Sequence, residues 1–104
     1  MLIELNGKNI EEVLSSKKPL VIEFYSPSCV HCKRTEAGLL ENEKEQGDEV
    51  VIAKCDITAE EKLAQQYDVE VLPTLLFIKD GEVKERLTGF THKLIIAENI
   101  RKIK

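Results

Sequence analysis

The chain has little of several residue types that mark specialised classes of protein. It has no tryptophan, one methionine, two tyrosines and three phenylalanines in 104 residues. Its three cysteines are too few, and odd in number, for the disulfide framework that stabilises small secreted domains. No apolar run approaches the ~20 residues of a membrane-spanning helix. Membrane-embedded and disulfide-scaffold proteins are thereby excluded.

An excess of charge of one sign is also absent. Lys and Arg number 15 against 19 Asp and Glu, which gives a net charge of −4. A basic surface is what nucleic acid and anionic membranes recognise, so we expect neither as a partner. Met1–Leu5 has no basic segment and reaches a charge at Glu4. It therefore does not resemble a secretory signal peptide, and we expect a cytoplasmic protein.

Length and hydrophobic periodicity predict one α/β domain over residues 1–104. Apolar alternation and short apolar runs predict five strands, at 2–5, 20–25, 50–55, 74–79 and 83–88. Helical spacing predicts four helices, at 9–16, at 30–46, from 58 to about 67 and from 91 onward. The resulting order βαβαβαββα predicts a central, partly parallel sheet with helices on both faces.

Local signals predict where some of these elements begin and turn. Thr58, followed by Glu61, has the pattern of a capping box for the third helix. Thr91 can cap the last helix, in which Ile96, Ile100 and Ile103 form one apolar stripe. Asp80-Gly81 is typical of a two-residue hairpin turn.

A pair of cysteines separated by two residues, Cys29-Val30-His31-Cys32, follows the apolar run 20–25 and opens the helix at 30–46. In an intracellular chain with a βαβ pattern, this spacing is typical of a redox dithiol. Backbone N–H groups at a helix N-terminus stabilise a thiolate, which is the nucleophile in disulfide exchange. We therefore assign Cys29 the attack on a substrate disulfide and Cys32, one turn later, the resolution of the mixed disulfide.

Two charged or titratable residues are candidates for tuning this dithiol. A protonated His31 near Cys29 would stabilise the thiolate and make the disulfide a stronger oxidant, although a solvated histidine would tune little. Glu23 lies in the apolar strand, where burial raises the pKa of a carboxyl and lets it accept a proton near neutrality. Lys54, on the adjoining strand, is a candidate partner for Glu23, and a buried ion pair between the two with no catalytic role is the alternative.

Two further residues of reactive type are expected to have structural roles. Cys55 lies in an apolar central strand, where we expect a small core residue with no redox role. His92 stands beside the predicted cap of the last helix, and we expect it on the surface.

The order of elements, with the dithiol after the second strand, resembles the thioredoxin family over nearly the whole chain. Four markers in the family's order carry the resemblance: Val21–Tyr25 leading to Cys29, Lys54, Val71-Leu72-Pro73-Thr74, and Gly89. The chain departs from the usual Trp-Cys-Gly-Pro-Cys motif, since it has Ser28-Cys29-Val30-His31-Cys32. Glu23 stands where the family has aspartate, and Ala37 where the active-site helix usually has a kinking proline.

The resemblance implies how a substrate would bind. It implies a cis Leu72–Pro73 bond and an extended substrate polypeptide over Cys29, because proline lacks an N–H and leaves the backbone at Leu72 free to pair. It assigns substrate contact to Tyr25, Leu72, Pro73, Thr74 and Gly89.

The resemblance also implies how the dithiol is supplied with protons and electrons. It implies that Glu23 relays a proton to the resolving Cys32. The dithiol itself carries two electrons, so no bound cofactor is expected. The implied partners are disulfide-containing proteins and a flavoprotein disulfide reductase, and with no obvious exposed apolar patch we expect a monomer.

Alternatives of other kinds stay open at this point. His31 favours a more oxidising, isomerase-like protein, because disulfide isomerases of the same superfamily also have histidine there. A glutaredoxin-like role has less support, since the chain has a long N-terminal βα unit and an acid at position 23. Cys29, Cys32, His31 and His92 can be drawn as zinc ligands, but a structural zinc site usually needs two spaced pairs. A redox-inactive interaction module would normally lose one cysteine of the pair.

Overall fold

The computed structural model describes residues 2–104. Within them the predicted order of five strands and four α-helices is confirmed, with most ends shifted by a residue or two. The elements are β1 (Ile3–Glu4), α1 (Ile10–Ser15), β2 (Leu20–Tyr25), α2 (Val30–Gln46), β3 (Val51–Asp56), α3 (Glu61–Gln66), β4 (Thr74–Lys79), β5 (Glu82–Thr88) and α4 (Lys93–Ile103). A 3₁₀ turn over Gly47–Glu49 follows α2.

The five strands form one mixed sheet in the order β1-β3-β2-β4-β5. The pairs β1–β3 and β3–β2 are parallel, and the pairs β2–β4 and β4–β5 are antiparallel. Phe24 near the end of β2 lies opposite Thr74 at the start of β4. The loop that carries Cys29 and the segment before Pro73 therefore meet at the same edge of the sheet.

Helices cover both faces of this sheet, as predicted. On one face α2 and α4 contribute Leu39 and the stripe Ile96, Ile100 and Ile103, which pack in a cluster with Val21, Leu75 and Phe77. On the other face α1 and α3 contribute Ile10 and Leu63, which pack in a cluster with Leu20, Ile22, Phe24 and Ile78. The central strands are apolar towards both faces because helices cover both, as is usual for such sheets.

The predicted capping box of the third helix is wrong. The helix begins at Glu61 behind Glu60, and not at Thr58. The Thr58 backbone N–H and hydroxyl both donate to the Asp56 carboxylate, at 2.9 and 2.7 Å. Thr58 therefore stabilises the turn that leaves β3, because its N–H and its hydroxyl are both engaged with Asp56 and not with the start of α3.

The predicted cap of the last helix is also displaced by one residue. His92 is the N-cap of α4, and its Nδ1 accepts a hydrogen bond from the Leu94 backbone N–H at 3.1 Å. Thr91 is buried; its N–H donates to the Thr35 hydroxyl at 3.1 Å, and its own hydroxyl donates to the Gly89 carbonyl. His92 is on the surface, as expected.

Helices α2 and α4 approach closely at Gly38. A Cβ at this position would lie 3.2 Å from the Cα and Cβ atoms of Lys93. The Asn42 side chain, one turn further along α2, donates to the carbonyls of Gly38 and Lys93. Among residues 2–104, no helix is both long and apolar enough to cross a membrane.

Candidate active site

The two cysteines of the pair occupy different environments at the start of α2. Cys29 is the N-cap, with extended backbone, and its Sγ accepts a hydrogen bond from the Cys32 backbone N–H at 3.1 Å. The two sulfurs are joined in a disulfide, with the Cα atoms 5.2 Å apart. Cys29 is half-buried, whereas Cys32 is 2% exposed. Of the two cysteines, Cys29 is therefore the more exposed to an incoming substrate.

The two residues between the cysteines point outward. Val30 is 67% exposed and His31 is also exposed. Both lie in the first turn of α2, where they form part of the surface around the dithiol. His31 follows Cys29 by two residues, and its imidazole is open to solvent.

Glu23 is a carboxyl group inside the core. The residue is completely buried in β2, and neither of its carboxylate oxygens has a hydrogen-bond partner among the described residues. Burial, and after it the negative charge of Glu36, raise the pKa of Glu23, while the positive charge of Lys54 lowers it; together they bring the pKa to about 8. Glu23 is therefore mostly uncharged at neutral pH.

The predicted pairing of Lys54 with Glu23 is wrong. Lys54 lies opposite Glu23 in the β2–β3 register, yet its Nζ forms an ion pair with Glu36 Oε1 at 3.2 Å. The ammonium also lies 5.2 Å from the centre of the Tyr25 ring. Both partners of the ion pair are about a quarter exposed. A solvated pair avoids the desolvation that a pair with the buried Glu23 would require.

An open pocket connects this ion pair to the dithiol. Its volume is about 300 Å³, and its lining residues are Tyr25, Ser26, Pro27, Cys32, Lys33, Glu36 and Lys54. The Tyr25 hydroxyl donates to the carboxylate of Glu4 on β1 at 2.9 Å. The buried cysteine and a solvated ion pair thus share one solvent-connected space.

The segment before β4 lies at the same edge of the sheet. The Leu72–Pro73 peptide bond is cis, as the resemblance implies, and the Pro73 carbonyl accepts a hydrogen bond from Gly89 N–H at 2.8 Å. Thr74 is completely buried, and its hydroxyl donates to the Val71 carbonyl. The Thr74 side chain therefore supports this segment from inside and does not face a bound polypeptide.

Several surface residues near the site were not predicted from the sequence. Val71 before Leu72 and Phe90 after Gly89 are 50% and 43% exposed, so apolar side chains are exposed after all. The Arg34 guanidinium lies 4.4 Å from the Phe90 ring centre. Glu36 was missed too, although it follows Cys32 by four residues and so shares its helix face.

The remaining cysteine has the expected structural position. Cys55 is completely buried in β3, and burial raises the pKa of its thiol to about 12. For the zinc alternative, no group of three or more His, Cys, Asp and Glu side chains within residues 2–104 is arranged to hold a metal ion.

Comparison with known proteins assigns the family. The thioredoxin family model matches residues 1–102, and the chain belongs to the thioredoxin family. It is 36% identical over 88 residues to thioredoxin of Bacillus subtilis, covering 85% of each chain. The X-ray structure of Fasciola hepatica thioredoxin superposes with a TM-score of 0.89 at 27% identity and covers 100% of both chains.

Longer relatives contain a similar domain. The chain is 37% identical over 105 residues to protein disulfide isomerase-like 1-4 of Arabidopsis thaliana, covering 98% of this chain and 17% of the relative. In the other disulfide isomerases the matched region is a similar share of the relative's length, so the chain spans about a sixth of the length of these relatives.

Proposed function

We propose that this protein is a thiol–disulfide oxidoreductase that reduces disulfide bonds of protein substrates. The observation that carries the proposal is the pairing of an accessible Cys29 sulfur, at the N-terminus of α2, with the buried Cys32. Similarity to thioredoxins over most of the chain length supports it.

The reaction proceeds by two exchanges of sulfur bonds. The Cys29 thiolate attacks one sulfur of the substrate disulfide, forming a mixed disulfide and releasing the other substrate sulfur as a thiolate that takes a proton. Cys32 then loses its proton and attacks Cys29 Sγ. The bond between Cys29 and the substrate breaks, and its electron pair leaves on the substrate sulfur. The products are a substrate dithiol and the Cys29–Cys32 disulfide.

Glu23 is proposed to accept the proton that Cys32 must lose. The pKa of the buried Glu23 carboxyl is about 8, so its ionised form is a stronger base than that of an exposed glutamate. Groups that transfer protons work best when their pKa lies near the working pH. Lys54 acts on this step through its electrostatic effect on Glu23 and not through direct contact with it.

The substrate is proposed to lie extended across the edge of the sheet. Pro73 has no N–H, so the backbone at Leu72 can pair with a substrate strand. Gly89 has no side chain and adopts a φ of 81°, which leaves room for a close approach. Tyr25 borders the dithiol from the side of the pocket.

The surroundings of the reaction are also part of the proposal. A flavoprotein disulfide reductase would return the Cys29–Cys32 disulfide to the dithiol, and no bound cofactor is needed. We propose a cytoplasmic monomer. A two-residue edge strand β1 and a charged edge strand β5, which contains Glu82, Lys84, Glu85 and Arg86, support the monomer because short or charged edges oppose strand pairing between molecules.

A second candidate function is a more oxidising, isomerase-like activity. The exposed His31 between the cysteines favours it, because an imidazolium would stabilise the thiolate and hence the reduced form. The similarity to one domain of disulfide isomerases supports it too.

Measurement of the reduction potential of the Cys29–Cys32 couple against glutathione separates the two functions. A disulfide reductase is expected to have a potential near that of thioredoxin, about −270 mV, and an isomerase-like protein one near −180 mV. The Cys29→Ser variant is the control and should show no two-electron transition. A wild-type protein with no redox response would contradict both candidates.

A further inference from the structure

Glu36 connects the helix of the dithiol to the strand of the buried acid. It lies one turn after Cys32 on the same face of α2 and lines the same pocket. Its carboxylate binds Lys54 at 3.2 Å. This contact joins α2 to β3 beside the sulfur that must lose a proton, which is an unusual place for a merely solubilising surface pair.

Lys54 is near two carboxylates, those of Glu23 and Glu36, and it forms an ion pair only with Glu36. Its register partner Glu23 is buried, and neither carboxylate oxygen of Glu23 has a hydrogen-bond partner in the described part of the chain. The ammonium instead lies with Glu36, which is partly solvated. Glu36 thus holds, out of direct contact with Glu23, the cation whose positive charge stabilises the ionised form of Glu23.

We propose that Glu36 is a positioning residue for the resolution step: it retains Lys54 and thereby sets the pH at which Glu23 can take the proton of Cys32. This inference rests on the proposed oxidoreductase function. In the proposed step Glu36 itself touches neither the substrate nor a reacting sulfur. It acts through Lys54 and through its own negative charge.

The charges that act on Glu23 come from two neighbouring elements. Lys54 on β3 lowers the pKa of Glu23 and Glu36 on α2 raises it, while burial has the largest effect and raises it. On β4 the register partner is the apolar Leu75, which contributes no charge. Neutralising Glu36 removes one negative charge and also releases Lys54, so both changes favour ionised Glu23.

The consequence falls on one step of the reaction. In resolution the Cys32 thiol gives its proton to the Glu23 carboxylate. The Cys32 sulfur bonds to Cys29 Sγ, and the substrate sulfur leaves with the electron pair of the broken bond. Since only ionised Glu23 can accept the proton, the pH dependence of this step follows the titration of Glu23. The attack by Cys29 does not require Glu23.

The Glu36→Gln variant separates the two steps in a reaction with dithiobis-nitrobenzoate. The first thionitrobenzoate anion is released when Cys29 attacks the reagent, and the second when Cys32 resolves the mixed disulfide. We expect the pH midpoint of the second release to fall by about one unit in Glu36→Gln. The pH profile of the first release should stay as in the wild type. Titration of the Glu23 carboxyl carbon by NMR should show the same shift.

Two matched variants test the path of the effect. Glu45→Gln changes the same charge on the exposed part of α2 and is expected to leave both phases unchanged. In a Lys54→Met background, Glu36→Gln should shift the midpoint less far, because no cation is left to release and only the charge of Glu36 itself is removed. An equal shift in that background would overturn the role of Lys54.

The proposal and the function on which it rests fail in different ways. An unchanged second phase together with an unchanged Glu23 titration in Glu36→Gln would overturn the role of Glu36. If the wild-type protein released no thionitrobenzoate in a fast first phase, the reactive Cys29 and hence the proposed function would be contradicted.

Discussion

Glu23 illustrates how a single residue can lower stability for the sake of chemistry. An uncharged carboxyl in the core is tolerable, but an ionised one without a partner is costly. In the folded state Glu23 therefore keeps its proton up to about pH 8, whereas in the unfolded chain, where the pKa is 4.5, the glutamate loses its proton at a lower pH. Folding and proton release thus oppose each other between these two values.

We predict that the stability of the wild type falls as pH rises from 5 to 8. In this range the native state holds a proton that the unfolded state has lost, so the free energy of unfolding falls by up to about 1.4 kcal/mol per pH unit. Across the full range between the unfolded pKa of 4.5 and the folded pKa of about 8, the fall is about 5 kcal/mol. Glu23→Gln lacks this titration and should lose the slope. Urea unfolding of the oxidised proteins from pH 5 to pH 9 measures both curves.

The pH slopes of the two unfolding free energies are compared, and not their absolute values, because burial of the glutamine amide has a desolvation cost of its own. The destabilisation caused by Glu23 should be largest above pH 8, diminish towards pH 5 and vanish below the unfolded pKa of about 4.5. Parallel curves for wild type and Glu23→Gln would show that Glu23 has an ordinary titration in the folded protein.

His31 is expected to set the redox potential of the couple. We predict that His31→Pro lowers the reduction potential by about 30 mV or more, because the thiolate loses the stabilisation that an imidazolium would give. Proline is tolerated in the first turn of a helix. A glutathione titration measures the change. His92→Ser removes the other histidine but keeps a capping side chain, and it should leave the potential unchanged; equal potentials for wild type and His31→Pro would contradict the prediction.

At the scale of elements, α2 organises the site. Its first turn holds the dithiol, its next turn holds Glu36, and the Thr35 hydroxyl accepts a hydrogen bond from the segment after Gly89. Further along, Gly38 admits α4 to close contact. One helix therefore positions the nucleophile, the ion pair and the loop beside the substrate edge.

The close contact at Gly38 predicts a sharp difference between neighbouring positions. Gly38→Val should destabilise the protein by about 1–3 kcal/mol, because the new side chain meets the backbone of Lys93 and must displace α4. Ala37→Val adds a comparable β-branched side chain at an exposed position and should cost well under 1 kcal/mol. Urea unfolding at one pH compares them, and similar losses for both would refute a special role for the helix contact.

Predictions of the element order succeeded where long apolar patterns carry it, and failed at the caps. The hydroxyls of Thr58 and Thr91 each donate to an acceptor two residues earlier in the chain and do not cap a helix. His92 was overlooked as a cap because histidine is not among the usual capping residues. Periodicity is repeated along an element, whereas a cap depends on one local choice.

At the scale of the whole molecule, the dithiol and cis-proline segment could be predicted because short motifs and their order define them. The partner of Lys54 could not, because the choice between Glu23 and Glu36 depends on how deeply each carboxylate is buried. The sequence pointed only to Glu23, across the sheet from the lysine, and not to Glu36 on the helix. Only the packed structure distinguishes the desolvated acid from the solvated one.

The redox state and the stability of the whole domain are linked. A more oxidising couple requires the reduced form to be more stable relative to the oxidised form. The quantity to compare is the free energy of unfolding of the reduced protein minus that of the oxidised protein. We predict that this difference is greater in the wild type than in His31→Pro, by about 1.4 kcal/mol for each 30 mV between their potentials. Urea unfolding of both redox forms gives this difference independently of glutathione. A mismatch between the two measurements would mean that His31 also alters the unfolded chain.

The hairpin turn between β4 and β5 lies at the end of the sheet away from the chemistry. Asp80 and Gly81 both have positive φ, as a tight two-residue turn requires, and β4 spans the sheet from Thr74 to this turn. A strand of this length separates the turn from the dithiol edge by about 20 Å. A tether attached there would orient the molecule on a support with Cys29 facing outward, so that even a folded protein could approach it.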